Sequence, residues 1–213
     1  MADTLPDVLL VMALEVESQG LFEREGISVL YTGLGKVNAT FTLTRRLQAY
    51  RKQGRDLPLV VNFGTAGSRR FPTHSVVACR AFVQRDMDVT GLGFELGQTP
   101  FDPLPALLEF PAVFSSLPEA VCGSGDRFVT SAPELGCDVI DMEAYALAKV
   151  CRLEGARFGC AKFISDGADH AAAGDWQSSL PKAAAAFLEL YRLLVPGSGA
   201  EPTSAPIAGR AGG

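Results

Sequence analysis

This sequence has little histidine, little tryptophan and few basic residues. Its 213 residues include two histidines and one tryptophan. His74 and His170 have neither metal-ligand spacing nor a partnered cysteine or serine motif, so we interpret both as incidental surface residues. The sequence therefore implies no metal and no organic cofactor.

Basic residues are also too scattered to form a binding face. There are 19 lysines and arginines against 24 aspartates and glutamates, which gives a formal net charge of -5. No surface for nucleic acid or anionic lipid is therefore expected. No apolar run approaches the roughly 20 residues that cross a bilayer, and the start of the chain lacks the features of a signal peptide. These absences predict a cytoplasmic protein with no nucleic-acid or membrane partner.

The cysteines do not suggest a disulfide framework. They are five in number, none has CxxC spacing, and most lie in apolar surroundings such as VVACRAF and FGCAKF. We predict reduced, buried thiols. The positions are Cys79, Cys122, Cys137, Cys151 and Cys160.

Short apolar runs alternate with segments of helical periodicity. Val8–Leu14 and Leu57–Phe63 are typical of strands that are covered on both faces, as in an α/β sheet. With 47% hydrophobic residues, the chain is long enough for one large core, and we predict a single catalytic domain over residues 1–195. Residues 196–213 are rich in Pro, Gly, Ala and Ser, which predicts a disordered tail.

One helix is predicted directly after the glycine turn of Gly33 and Gly35. Val37, Phe41 and Leu47 recur there at approximate helical spacing, which predicts its apolar face. The segment GLGKV lacks the third glycine of a dinucleotide fingerprint, so a dinucleotide site is not favoured. Taken alone, the two glycines are better explained by a tight turn that serves packing.

Three predicted strand ends carry glycines or acids, and ligands of α/β sheets bind beyond such ends. The segments are ALEVES, FGTAG and ISDGAD. Each is a weak signal alone, because an acid at such a position is often only a turn or helix-terminal residue. In ALEVES, Glu15 and Glu17 are two residues apart, so only one of them easily points at a ligand.

The combined pattern is more specific. ALEVES, TGLGKVNA, NFGTAG, DVTGLGFELGQTP, SGDRFV, IDMEA and FISDGAD follow one another over residues 8–194. This series resembles the nucleoside phosphorylase/nucleosidase superfamily, and within it the methylthioadenosine/S-adenosylhomocysteine nucleosidases. The resemblance implies a three-layer α/β fold with a mixed central sheet flanked by helices, a homodimer, and a small purine nucleoside as substrate.

The resemblance also implies roles for three acids. Glu143 of DMEA would bind the ribose hydroxyls through charge-assisted hydrogen bonds, with Met142 packed against the sugar. Asp166 of ISDGAD would hydrogen-bond the purine and protonate N7, for which it must be partly desolvated and carry a proton near neutral pH. Glu17 would hold and activate the water nucleophile, and Glu15 would have a structural role.

Further positions follow from the same motifs. Phe128 would stack on the base while the backbone of Val129 reads the purine edge; a core position is the simpler alternative for Phe128. The Thr65 hydroxyl would polarise the site, and Leu14 and Leu34 would close the ribose and 5′ region. Leu92, Phe94 and Pro100 match residues that line the 5′ pocket of the neighbouring subunit.

A phosphorylase is the first alternative, because the superfamily includes enzymes that use phosphate as the nucleophile. The Gly-Asp-Pro-x-Arg segment of such enzymes has no counterpart here, and Asn62 and Phe63, not arginine, precede the FGTAG turn. The carboxylates of ALEVES favour water and repel phosphate. Lys162 and Arg127 remain as anion contacts, although exposed or paired charges are the more ordinary explanation for both.

Two further alternatives stay open. The stretches between Glu17 and Gly33 and between Pro100 and Gly123 are short for the family, so the 5′ region has room for another modified nucleoside such as futalosine. The second alternative is a non-catalytic nucleoside-binding module. The joint presence of Glu17, Glu143 and Asp166 argues against it.

Overall fold

The computed structural model describes residues 7–127, 136–168 and 172–195, without the side chain of residue 173. Within these residues, eight strands form one mixed sheet. The strands are β1 (Val8–Met12), β2 (Val29–Tyr31), β3 (Leu59–Gly67), β4 (Val76–Gln84), β5 (Leu108–Glu109), β6 (Glu119–Ser124), β7 (Val139–Asp141) and β8 (Arg157–Asp166). The helices are α1 (Leu21–Arg24), α2 (Lys36–Lys52), α3 (Ala144–Glu154) and α4 (Ala172–Leu194), with 3-10 turns at Glu15–Glu17 and Thr90–Leu92.

The strand order is β2-β1-β3-β7-β6-β4-β5, and β8 pairs in parallel with β3 and antiparallel with β4. The pairings β3-β8-β4-β6-β7-β3 therefore close a ring. At one edge of this ring Gly67 of β3 lies opposite Ile140 of β7 and beside Asp166 of β8. The carboxyl ends of these three strands thus converge, as the predicted ligand site requires.

Helices cover both faces of the sheet. Along β1, Leu9 and Val11 join the core beneath α2 and α3, whereas Leu10 and Met12 join the core beneath α4, where Phe187 packs. Successive side chains of a strand point to opposite faces, so an uninterrupted apolar run is what a doubly covered strand needs. The mixed central sheet flanked by helices, as the resemblance implied, is confirmed.

The buried face of α2 differs from the prediction. Leu47 is buried as expected, but Val37 and Phe41 are 78% and 61% exposed. The face toward the sheet is instead formed by Ala39, Leu43 and Leu47, which follow one another at the four-residue spacing of a helical stripe. The prediction was wrong for Val37 and Phe41 because α2 carries a second apolar stripe, which faces outward.

The cysteines agree with the prediction of free thiols. All five are free, four are buried and Cys137 is half-buried. Among the described helices, none combines the length and hydropathy needed to cross a membrane.

Candidate active site

A cavity with an accessible volume of about 220 Å³ opens where the carboxyl ends of the strands converge. Its walls come from the end of β1, the β3 segment Asn62–Gly67, the end of β7 and the end of β8. Seven of the predicted site residues line it. These are Leu14, Glu17, Leu34, Thr65, Met142, Glu143 and Asp166.

Glu17 lies one 3-10 turn beyond β1 and is only 4% exposed. Its carboxylate turns back to the strand end, where Oε2 accepts the backbone N–H groups of Ala13 and Leu14, both at 3.1 Å. Oε1 accepts the backbone N–H of Thr65 at 3.1 Å and the Thr65 hydroxyl at 3.2 Å. Glu15 is exposed. Of the two acids in ALEVES, the fold therefore directs Glu17 into the cavity.

Glu143 lies two residues beyond the end of β7 and directly precedes the first residue of α3. It is 7% exposed, and its Oε1 accepts the backbone N–H of Gly35 at 2.8 Å. The pKa of Glu143 is raised to about 7, first by burial and then by the nearby charge of Asp141, against the opposing effects of Lys162 and the Gly35 N–H. A carboxylate at this position thus remains short of hydrogen-bond donors and suits a ligand that supplies them.

Asp166 ends β8 and is 4% exposed. Its Oδ2 accepts the Ser165 hydroxyl at 2.7 Å, and its Oδ1 accepts the backbone N–H of Ala168 at 2.9 Å. A Cβ at Gly67 would lie 2.7 Å from Oδ1, closer than real side chains come. The glycine of the FGTAG turn therefore makes room for this carboxyl group.

A buried ion pair forms the floor of the cavity. The Lys162 Nζ atom lies 2.9 Å from Oδ2 of Asp141, and their side chains are 2% and 1% exposed. Burial alone would disfavour the charge on either group, but each stabilises the other, so the pKa of Lys162 is raised and that of Asp141 is lowered. Asp141 also accepts the Ser124 hydroxyl and the backbone N–H of Ala144 at 2.8 Å.

Sequence reasoning interpreted Lys162 as an anion contact or an ordinary charge and missed Asp141 altogether. A lone lysine inside the otherwise apolar strand FGCAKFIS was the available signal, since a buried ammonium needs a partner. The sequence reasoning also missed Trp176, which lines the cavity and donates its indole N–H to Thr65 Oγ1 at 2.8 Å. Its rarity, as the single tryptophan, was the only hint.

Three of the predicted residues that the structure describes are not part of this cavity. Leu92, Phe94 and Pro100 do not line it, and Leu92 is 75% exposed. Their expected place is the pocket of a neighbouring subunit, which stays a prediction. Phe128 and Val129 lie outside the described residues, as do His170 and the tail of residues 196–213. His74 is exposed, as expected.

The mixed sheet, its flanking helices and the acid-lined cavity define an α/β protein of the nucleoside phosphorylase/nucleosidase fold. The chain belongs to the phosphorylase superfamily, whose family model matches residues 16–195.

Relatives and solved structures agree with this assignment. A 5′-methylthioadenosine/S-adenosylhomocysteine nucleosidase from Haemophilus ducreyi is 31% identical over 186 residues, which cover 78% of each chain. The nucleosidase of Neisseria meningitidis, solved in complex with methylthio-immucillin-A, has a TM-score of 0.72 at 25% identity and covers 88% of this chain and 97% of its own. A futalosine hydrolase of Helicobacter pylori has a TM-score of 0.78 at 23% identity, covers 88% of this chain and 96% of its own, and shares the fold.

Proposed function

We propose that the protein is a purine-nucleoside N-glycosidase. It hydrolyses the N-ribosyl bond of 5′-methylthioadenosine/S-adenosylhomocysteine-like nucleosides to the free base and a ribose derivative. The observation that carries the proposal is the presence of Glu17, Glu143 and Asp166 around one cavity. The name of the Haemophilus ducreyi relative supports the same chemistry.

Glu143 has the properties of a ribose ligand. Among the residues that the structure describes, the Gly35 N–H is the one hydrogen-bond donor to its side chain, so lone pairs on both oxygens remain for the 2′- and 3′-hydroxyls. These hydrogen bonds strengthen as the ribosyl group gains oxocarbenium character, which stabilises the transition state more than the bound substrate. Met142, which also lines the cavity, packs against the sugar.

Asp166 supplies the proton for the leaving group. As the N-ribosyl bond breaks, its electron pair passes to the purine, and protonation at N7 lets the base leave as a neutral molecule. The Ser165 hydroxyl and the Ala168 N–H hold the carboxyl group in one orientation. Phe128 and Val129 remain our candidates for stacking on the base and for reading its edge.

Glu17 and Lys162 flank the region for the water nucleophile. A Cβ on Gly64 would lie 3.5 Å from Glu17 Oε1 and 3.1 Å from Lys162 Nζ, so both groups border the same point of β3. The water oxygen adds to C1′ of the ribose, and its proton passes to the Glu17 carboxylate. Leu14 and Leu34 close the ribose and 5′ region, which suits an uncharged 5′ group.

The electrostatics favour water over phosphate. Of the cations that line the cavity, Lys162 is neutralised by Asp141, Arg85 donates to the carbonyls of Gly125 and Arg127, and Arg127 itself is exposed to solvent. An incoming phosphate would face the Glu17 carboxylate, whose repulsion it would have to overcome. Phosphorolysis is therefore the less favoured chemistry at this site.

The decisive test is incubation of the full chain with methylthioadenosine, S-adenosylhomocysteine, inosine and futalosine, each with and without phosphate. We expect release of adenine from the first two at a rate that does not depend on phosphate, measured by chromatography of the free base. Strict dependence on phosphate would identify a phosphorylase instead. Faster release of base from futalosine would identify futalosine as the preferred substrate. Binding of adenine without release of base from any nucleoside would indicate a non-catalytic module.

The proposal includes a homodimer in the cytoplasm. Val37 and Phe41 are four residues apart on α2 and are 78% and 61% exposed, and Leu34, which lines the cavity just before this helix, is 50% exposed. An apolar stripe of this kind beside a ligand cavity suits burial against a second copy. The free thiols suit a reducing compartment.

Phe41→Asp is expected to shift the protein from dimer to monomer, because it puts a charge into the proposed apolar contact. Sedimentation velocity at micromolar concentration measures this. Leu193→Asp, at a 77% exposed position on α4, is the matched control and should leave the dimer intact. A wild-type protein that sediments as a monomer would rule out the dimer.

A further inference from the structure

Trp176 lies in the first turns of α4, 111 residues after Thr65 in the sequence. It lines the cavity, and its indole N–H donates to Thr65 Oγ1 at 2.8 Å. Thr65 in turn donates its hydroxyl proton to Glu17 Oε1 at 3.2 Å. Three residues distant in sequence therefore form one continuous chain of hydrogen bonds.

The chemistry of the groups fixes the direction of this chain. An indole N–H donates only, and a carboxylate accepts only, so the hydroxyl between them must accept from Trp176 and donate to Glu17. One lone pair of Thr65 Oγ1 is left for a further donor. Such a donor would be a water molecule in the cavity, held beside the carboxylate that is to take its proton.

The Thr65 hydroxyl also completes the set of donors around Glu17. Backbone N–H groups supply the other three, two from Ala13 and Leu14 and one from Thr65 itself. Backbone groups are fixed by the strands, whereas a hydroxyl rotates to suit its surroundings. The orientation of this one donor therefore depends on what its oxygen accepts, which is the indole N–H.

We propose that Trp176 is a positioning residue for the hydrolytic step, acting through the Thr65 hydroxyl on the Glu17 carboxylate. Trp176→Phe keeps an aromatic ring in the cavity wall but removes the donor. The Thr65 hydroxyl then no longer has a fixed direction, and Glu17 and its water lose their preorganised arrangement. This inference rests on the proposed glycosidase for its effect on rate, although the hydrogen-bond chain itself does not.

The first test is a double-mutant cycle with Trp176→Phe and Thr65→Val, assayed for base release from methylthioadenosine. We expect Trp176→Phe alone to lower kcat about tenfold with KM changed less than about twofold, the loss of one well-placed hydrogen bond. In the Thr65→Val background the same change should cost nothing further, because the relay is already broken. Gln177→Ala, at the exposed neighbouring position, is the control and should keep full activity.

A merely structural tryptophan would give a different pattern. Equal losses from Trp176→Phe in both backgrounds, a change confined to KM, or unchanged kcat would each overturn the proposal. The second test needs no activity: the single tryptophan gives one indole N–H signal in a ¹H–¹⁵N spectrum. Thr65→Val should shift this signal and speed its exchange with solvent, whereas an unchanged signal would show that the hydrogen bond does not form.

The two tests separate this inference from the proposed function. A protein that releases no base from any nucleoside, yet whose indole signal responds to Thr65→Val, would refute the glycosidase while leaving the hydrogen-bond chain in place. An active enzyme with an indole signal insensitive to Thr65→Val would refute the relay alone.

Discussion

Asp166→Asn is expected to lower the rate of base release about 100-fold or more while leaving the fold intact. Asparagine has the same shape and still accepts the Ala168 N–H through its amide oxygen, so the local structure is preserved. It cannot deliver a proton to N7, and the purine would have to leave as an anion. The measurement is kcat for methylthioadenosine without phosphate, with thermal unfolding recorded in parallel.

Asp175→Asn is the matched control for this variant. The residue is an exposed aspartate in the first turn of α4, and its change should leave the rate within about twofold. An Asp166→Asn protein that keeps more than about a tenth of wild-type activity would assign leaving-group protonation to another residue. Ser165 and Lys162 are the polar neighbours at the end of β8 that would then need testing.

Local sequence was sufficient to predict where the site lies. Apolar runs located β1 and β3, and the glycines and acids at their ends marked the edge where the strands converge. The order of motifs then identified the superfamily and selected Glu17 over Glu15, a choice that agrees with the burial of the first and the exposure of the second. The catalytic roles themselves stay predictions until the variants are measured.

The contacts between residues that are distant in sequence could not be predicted from the sequence. Lys162 and Asp141 meet because β7 and β8 both end at the cavity, and no local pattern encodes that meeting. The same holds for Trp176, whose partner Thr65 is 111 residues away. In α2, periodicity predicted an apolar stripe but could not distinguish the stripe that faces the sheet from the one of Val37 and Phe41 that faces outward.

The acids of the cavity differ in how their charge is compensated. Glu17 is surrounded by four hydrogen-bond donors, and Asp141 has an ammonium, a hydroxyl and a backbone N–H. Glu143 is buried beside both acids, with the Gly35 N–H as its hydrogen-bond donor among the described residues. Burial of the Glu143 carboxylate therefore lowers the stability of the fold, as expected of a group that is arranged for a ligand and not for packing.

This difference gives a pH-dependent prediction for Glu143→Gln. The pKa of Glu143 is raised from its ordinary value of 4.5 to about 7, first by burial and then by Asp141. Between these two pH values the folded protein binds more protons than the unfolded chain, so the free energy of unfolding falls as pH rises through this window. The contribution of Glu143 protonation to the free energy of unfolding is fully present below about pH 4.5 and lost above about pH 7. It is on the order of 3 kcal/mol.

Glutamine does not titrate, and its amide oxygen still accepts the Gly35 N–H. The quantity to compare is the free energy of unfolding of Glu143→Gln minus that of the wild type. This difference is expected to be a few kcal/mol larger at pH 8 than at pH 5. Urea denaturation at the two pH values measures this difference. Glu95→Gln, at an exposed loop position, is the control and should show no such dependence.

The same variant should lose activity, because a neutral amide cannot make charge-assisted hydrogen bonds to both ribose hydroxyls. We expect kcat/KM to fall about 100-fold or more, and the loss to shrink with a 2′-deoxynucleoside, which offers one hydroxyl fewer. Greater stability together with lower activity is the signature of a desolvated carboxylate that is kept for its ligand. A variant that is destabilised equally at pH 5 and pH 8 would show instead that Glu143 is a structural cap of α3.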